Sequence, residues 1–208
     1  MGGQEWEDRY TTGDLPWDTG EPDLHLVEVV RARKLEGRTA LEIGCGTGTN
    51  ALWLAHQRFN VLGVDISPSA IDKARAKLCD PDLNCRFAAL NFLTTTVPTG
   101  PFDFVFDRGC FHVFDDHHDR ARFAAQVAAH LSADGLWLSL IGSTEGPPRD
   151  HGPPRRSAAE VVAAIEPHLQ ILELRLVDFR ANVPTPATAW LCVSGPRRVA
   201  AQPSTKRA

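Results

Sequence analysis

The chain predicts an α/β domain built on a seven-stranded, mostly parallel sheet with helices on both faces and an antiparallel last strand. Three observations carry that expectation. Short β-like runs alternate with helical stretches, the pattern of a parallel sheet covered by its crossover helices. An apolar run from Thr39 breaks into alternate glycines, Gly44, Gly46 and Gly48, and a second run from Asn60 closes on the lone carboxylate of Asp65. The final two strand-like runs have no helix between them, so they should pair antiparallel at one edge of the sheet.

In chain order, a helix over 23–35 precedes the sheet. The first strand, 40–43, runs into the glycine turn, and a helix over 50–57 follows. The second strand covers 61–65, after which Ser67, well placed as an N-cap, opens a helix over 67–78. Strands at 85–89 and 102–107 lead to a helix over 120–131. Gly135 then reads as a loop turn before a strand at 136–141. Ser157 caps a helix over 157–165, and strands at 171–177 and 187–193 complete the sheet. One domain spans 1–195, with roughly its first 35 residues acting as a cover. Residues 196–208, with four basic side chains and no apolar periodicity, read as a flexible tail.

The 208 residues, 43% hydrophobic and 23% charged, suffice for one full core of ordinary composition. A net charge of −4 provides no general basic field for nucleic acid, and a small-molecule partner fits better. Five scattered cysteines, Cys45, Cys79, Cys85, Cys110 and Cys192, form no C-x-x-C pair. That speaks against a disulfide framework and a zinc site, and it favours a reducing, cytoplasmic setting. His117 and His118 show no metal-type spacing, so no metal is expected. The polar, acidic start lacks a leader pattern, and no run approaches the roughly 20 apolar residues of a membrane span. Neither export nor membrane association is expected, and a domain of this kind can act as a monomer or weak homodimer.

Glycines admit close approach of a ligand, and a carboxylate ending the next strand is placed to receive both hydroxyls of a ribose. The spacing G-x-G-x-G is not the G-x-G-x-x-G of a dinucleotide site, and the lysine of a phosphate-binding loop is missing. Glu42, just before the turn, would repel a phosphate but suits a cationic amino-acid group. S-adenosylmethionine has that group, an adenosine and no phosphate. The stretch from Thr39 to Asn50, taken with Asp65, resembles motif I and the acidic ribose position of the class I methyltransferases. The resemblance covers nearly the whole chain and implies their Rossmann-like fold, with cofactor contacts at Glu42, Gly44, Gly46, Gly48, Asn50, Asp65 and Ile66. Asn91 and Phe92 stand where that family usually carries an acid for the adenine amino group and an apolar side chain for the ring. Asn91 departs from the acid, and a loop amide bonding its own backbone is the alternative.

Asp107, Arg108 and Gly109 end the central strand, closest to where a methyl group would be presented. Together with the N-terminal Trp6, Tyr10 and Pro16-Trp17, this triplet is similar to the thiopurine, thiol, halide and tellurite methyltransferases. The resemblance implies that Trp6, Tyr10 and Trp17 fold over the cofactor, where aromatic faces favour a sulfonium. It also implies that Asp107 lies at the cofactor and that Arg108 lies against the substrate, stabilising an anionic or thiolate acceptor. A purely structural arginine, bonded to Asp107 or to backbone, is the competing role. His112 in the same loop is a candidate proton acceptor. Cys110 is placed to line the pocket, and the long 143–157 loop brings Arg155 or Arg156 toward an anionic substrate group.

The expected reaction is methyl transfer by in-line displacement to a small-molecule acceptor, foremost a thiol or other soft nucleophile that needs no strong base. A small-molecule O- or N-methyltransferase on the same scaffold stays open, as does a non-catalytic nucleoside-binding module. An amino-group methyltransferase of DNA is disfavoured, because Asp-Arg-Gly-Cys is not the Asp/Asn-Pro-Pro-aromatic sequence of those enzymes.

Overall fold

The computed structural model describes residues 2–146, 152–183 and 185–197. Residues 198–208 of the expected tail, and residues 147–151 of the long loop, lie outside the described residues. A helix that the strand alternation does not announce, α1 (Gly3–Thr12), opens the chain and stops at Gly13 in the left-handed region. It is too polar to form core, and Tyr10 is its buried side chain.

Helix α2 (Leu24–Arg33) is capped by Asp23, whose carboxylate accepts the His25 N–H. There follow β1 (Thr39–Ile43), α3 (Thr49–His56), β2 (Asn60–Asp65) and α4 (Pro68–Lys77). Ser67 caps α4 and Pro68 occupies its first turn, where a missing N–H does no harm. Next come β3 (Cys85–Ala89), β4 (Phe102–Arg108), a 3-10 turn (Phe111–Val113) and α5 (His117–His130). The chain ends with β5 (Leu131–Gly142), α6 (Ala158–Ile165), β6 (Gln170–Phe179) and β7 (Ala187–Gly195). Ser157 and Glu160 form a reciprocal capping box at α6.

All seven expected strands are present, in the order β3-β2-β1-β4-β5-β7-β6. The first five pair in parallel, while β7 runs antiparallel to both β5 and β6. Two expectations are corrected. Helix α5 starts at His117 because Asp116 caps it, and Gly135 lies within β5 rather than in a loop turn. It stands where β5 pairs irregularly with β4, and a Cβ there would come within 2.9 Å of the Phe102 carbonyl oxygen.

Alternate residues feed the two faces of the sheet. Phe104, Phe106, Leu138, Leu140 and Leu191 pack beneath α2, α3 and α4. Leu41, Val105, Trp137 and Ile141 pack beneath α5 and α6. With β1 between β2 and β4, strand order reverses at the centre, and the carboxyl ends of these three strands form the crevice where such sheets bind ligands. All five cysteines are free. No helix among the described residues is long and apolar enough to cross a membrane.

Candidate active site

The glycine turn leaves β1 with positive φ at Gly44, Gly46 and Gly48. Gly46 is the most constrained by its surroundings. Its φ of +53° disfavours any side chain, and a Cβ would stand 2.7 Å from the Tyr10 hydroxyl. The backbone is thus bare where α1 lies against it.

Two carboxylates flank this turn. Asp65 accepts the Gly46 N–H at 2.9 Å and the Ser67 N–H at 3.0 Å, which fixes its orientation and leaves lone pairs for a diol. Burial raises its carboxyl above the ordinary value despite those two amides. Glu42 is only 1% exposed. Its Oε1 accepts the Asn50 amide at 3.2 Å, while its Oε2 is buried with no hydrogen-bond partner. Burial pushes Glu42 up to about 8, against the pull of the Asn50 amide and the Ala51 N–H. An orphaned carboxylate oxygen beside a bare backbone calls for a donor, and a cationic amino-acid group is a fitting one.

The N-terminal segment closes over this ground. Glu7 accepts the hydroxyls of Ser67 and Ser69, each at 2.5 Å, and the Ser69 N–H at 3.2 Å, locking α1 to the start of α4. These bonds hold the Glu7 carboxyl below its ordinary value. Thr47, inside the glycine turn, donates to Asp18 at 2.6 Å. The Trp17 ring meets Trp6 edge-on at 5.5 Å and Tyr10 at 6.2 Å. Ile66 lies against α1 at Gly3, where a Cβ would be 3.1 Å from its Cδ1. The three aromatic residues expected in a lid therefore form one cluster, which reaches the turn through the Tyr10 hydroxyl at Gly46.

Arg108 has all its nitrogens engaged. Nε donates to Asp23 at 2.7 Å, one terminal nitrogen donates to the Trp17 carbonyl at 3.4 Å, and the other donates to the Arg180 carbonyl. Its guanidinium also stacks on Phe179, 4.7 Å from the ring centroid. In this arrangement it is a clamp joining the cover, α2 and the β6–β7 loop, not a group aimed at an acceptor. Asn182 seals the same seam, donating its amide to the Asp18 carbonyl at 2.8 Å.

Asp107 differs from its expected role at the cofactor. It is fully buried, accepts the Cys110 and Phe111 N–H groups and the Trp137 indole N–H, and so caps the 3-10 turn from below. Burial pushes its carboxyl up to about 6. His112, 3% exposed, accepts the Gly142 N–H on Nδ1 at 2.7 Å. The neutral ring then carries its proton on Nε2, so the expected proton acceptor is a donor in this geometry. The Cys110 thiol lies against Gly44 and is held far above its ordinary value by burial, hence protonated.

Phe92, expected against the adenine, packs in the core with its ring 5.0 Å from Phe123. Asn91 closes an Asx turn, its Oδ1 accepting the Leu93 N–H at 3.0 Å. Arg155 is turned back onto its own loop, donating to the carbonyls of Ser143 and Thr144. Asp116, His117 and His118 do bring their ligand-type atoms within 4.8 Å of one another, contrary to the reading of their spacing, because the cap folds Asp116 back over the start of α5. They are exposed and stand at the positive end of that helix, a poor setting for a cation. A cavity of about 130 Å³ lies at the opposite, amino end of the strands, lined by Thr39, Asn60, Leu62, Arg86 and Phe102, and shares no residue with the glycine turn.

A buried acid before a G-x-G-x-G turn, an acid ending the next strand and this strand order define a class I methyltransferase fold. The family model of thiopurine S-methyltransferase (TPMT) matches residues 1–188. The chain belongs to that family, whose methyl donor is S-adenosylmethionine. Among its relatives, probable thiol methyltransferase 2 of Arabidopsis thaliana is 30% identical over 151 residues, covering 72% of this chain and 65% of the plant protein. Thiocyanate methyltransferase 1 of Brassica oleracea is 31% identical over 158 residues, covering 74% of this chain and 67% of the relative. The match thus spans about two thirds of either plant protein. A solved structure from work on the conversion of a disulfide bond into a thioacetal group during echinomycin biosynthesis is 26% identical with a TM-score of 0.73. It covers 86% of this chain and 84% of that one.

Sequence reasoning missed Asp23, Glu7, Asp18 and Phe179. Only Asp23 carried a local signal, its position as an N-cap before an apolar helix.

Proposed function

We propose that this protein transfers a methyl group from S-adenosylmethionine to a small soft nucleophile, a thiol or a thiocyanate- or halide-like anion. The observation that carries the acceptor class is the Gly142 N–H on Nδ1 of His112. It occupies the basic lone pair of the imidazole in the turn that follows β4, and the neighbouring Cys110 thiol is protonated. An acceptor that arrives ionised, or ionises readily near neutrality, needs no base from the protein; a phenol or amine does. The two plant relatives, named as a thiol and a thiocyanate methyltransferase, point to the same class.

Glu42, oriented by Asn50, would hold the ammonium of the donor through Oε2, and Asp65 would receive the ribose hydroxyls. When bound, the donor supplies an electrophilic methyl group on a sulfonium. Trp6, Tyr10 and Trp17 exclude water from it, and the Arg108 clamp keeps the cover shut. Catalysis is then alignment and desolvation, effects that reach about 7 to 11 kcal/mol in favourable intramolecular cases.

A panel of thiols, thiopurines, thiocyanate, iodide, tellurite and catechols with methyl-labelled S-adenosylmethionine tests this. Turnover of thiols and soft anions is expected, with thiol rates following the ionised fraction of the acceptor. Transfer confined to catechols, and abolished in His112→Ala, would overturn it.

A further inference from the structure

We propose that Asp23 is a positioning residue that couples the Glu42 end of the donor site to the cover that closes over it. This inference rests on the methyltransferase reading above and adds a residue that touches neither ligand. Asp23 is buried at the start of α2 and uses three different atoms on three partners. Its Oδ1 accepts the His25 N–H, which caps the helix. Its Oδ2 accepts the Arg108 Nε at 2.7 Å. Its own N–H donates to the Asn50 Oδ1 at 2.9 Å, and the other end of that amide donates to Glu42 Oε1.

A continuous polar chain therefore runs Glu42, Asn50, Asp23, Arg108, and divides at Arg108 to the carbonyls of Trp17 in the cover and Arg180 in the β6–β7 loop. Each link is directional. The Asn50 amide cannot rotate about its axis without facing Glu42 with an oxygen and the Asp23 N–H with a donor, so the orientation of Glu42 is tied to the place of α2. The guanidinium is planar, and fixing Nε fixes the direction of its two terminal nitrogens. Arg108 and Asp23 are side chains of 12% and 5% exposure, so water does little to screen or replace their bond. Filling the orphaned Oε2 of Glu42 with the donor's ammonium anchors one end of this chain, and closing the cover anchors the other. The donor should consequently bind more weakly when the far end is cut, and the cover should be held less firmly when the near end is cut.

A merely structural helix cap makes a different prediction, because serine caps as well as aspartate does. Asp23→Ser keeps the cap and the backbone N–H but releases Arg108. Asp23→Asn also keeps the shape and removes the charge, and serves if the serine variant does not fold. The measurement is calorimetric affinity for S-adenosylhomocysteine in wild type, Asp23→Ser, Glu42→Gln and the double variant. Coupling predicts at least about a tenfold loss of affinity in Asp23→Ser, and a much smaller further loss when the same change is made on Glu42→Gln. Unchanged affinity in Asp23→Ser, or losses that simply multiply, overturns the proposal while leaving the donor site intact. If wild type does not bind S-adenosylhomocysteine, or Glu42→Gln binds it equally well, the donor-site reading itself has failed.

Discussion

Glu42→Gln isolates the electrostatics of the donor site. In the folded chain without donor, burial raises this carboxyl from its ordinary 4.5 to about 8. A raised carboxyl favours the protonated fold, so its contribution is whole below pH 4.5 and is lost as pH rises toward 8. At pH 7 the gap of 2.5 pH units above 4.5 corresponds to a penalty on the order of 3 kcal/mol, which glutamine does not carry. The variant should thus be more stable than wild type at neutral and alkaline pH when no donor is present. Donor binding has the opposite sign. An ammonium requires the ionised carboxylate, and with a value of about 8 the group is about nine-tenths protonated at pH 7. Binding of S-adenosylhomocysteine should release about 0.9 proton at pH 7, and affinity should rise nearly tenfold per pH unit below 8 before levelling off. Calorimetry in two buffers of different ionisation enthalpy reads the proton directly. Glu42→Gln should bind more weakly and lose this pH dependence. Binding by wild type that releases no proton and does not vary between pH 6 and 8 would refute the reasoning.

Two further predictions concern the closed cover. Arg108→Ala leaves the buried Asp23 carboxylate unpaired and should cost about 3 to 5 kcal/mol of stability while speeding tryptic cleavage after Arg9; an unchanged melting temperature and cleavage rate would remove the clamp. Gly46→Ala must displace the Tyr10 hydroxyl and strain a left-handed backbone, so a loss of about 1 to 3 kcal/mol and weaker donor affinity are expected, read by thermal denaturation and calorimetry.

The parts of this molecule legible in its sequence are those governed by short-range rules. Strand alternation located the sheet, and the break from apolar residues into glycine located the turn after β1, because backbone conformation is a local property. Asp65 was legible for the same reason, as a carboxylate at a strand end. Asp107 was misassigned although its signal is also local: an acid three and four residues before Cys110 and Phe111 has the spacing to cap a turn. Asn91 likewise bonds two residues ahead. Position at a strand end suggested a ligand, but nearby amides were the closer competitors. Arg108 illustrates the other limit. Its partner Asp23 lies 85 residues away, and no periodicity relates the two. The grip of Glu7 on Ser67 and Ser69 spans about 60 residues and was equally invisible. An N-terminal cover is held by partners brought near only once the sheet exists.

The place of β7 bears on how the protein is made. This strand is the last of the seven to be synthesised, yet it lies inside the sheet, between β5 and β6. While a ribosome is still delivering residues 187–195, β5 presents an open flank and β6 has no neighbour to pair with. The nascent chain therefore reaches Ala187 with two unsatisfied strand edges, a state that favours premature association with other chains. A chain stopped short of Ala187 forfeits both pairings at once.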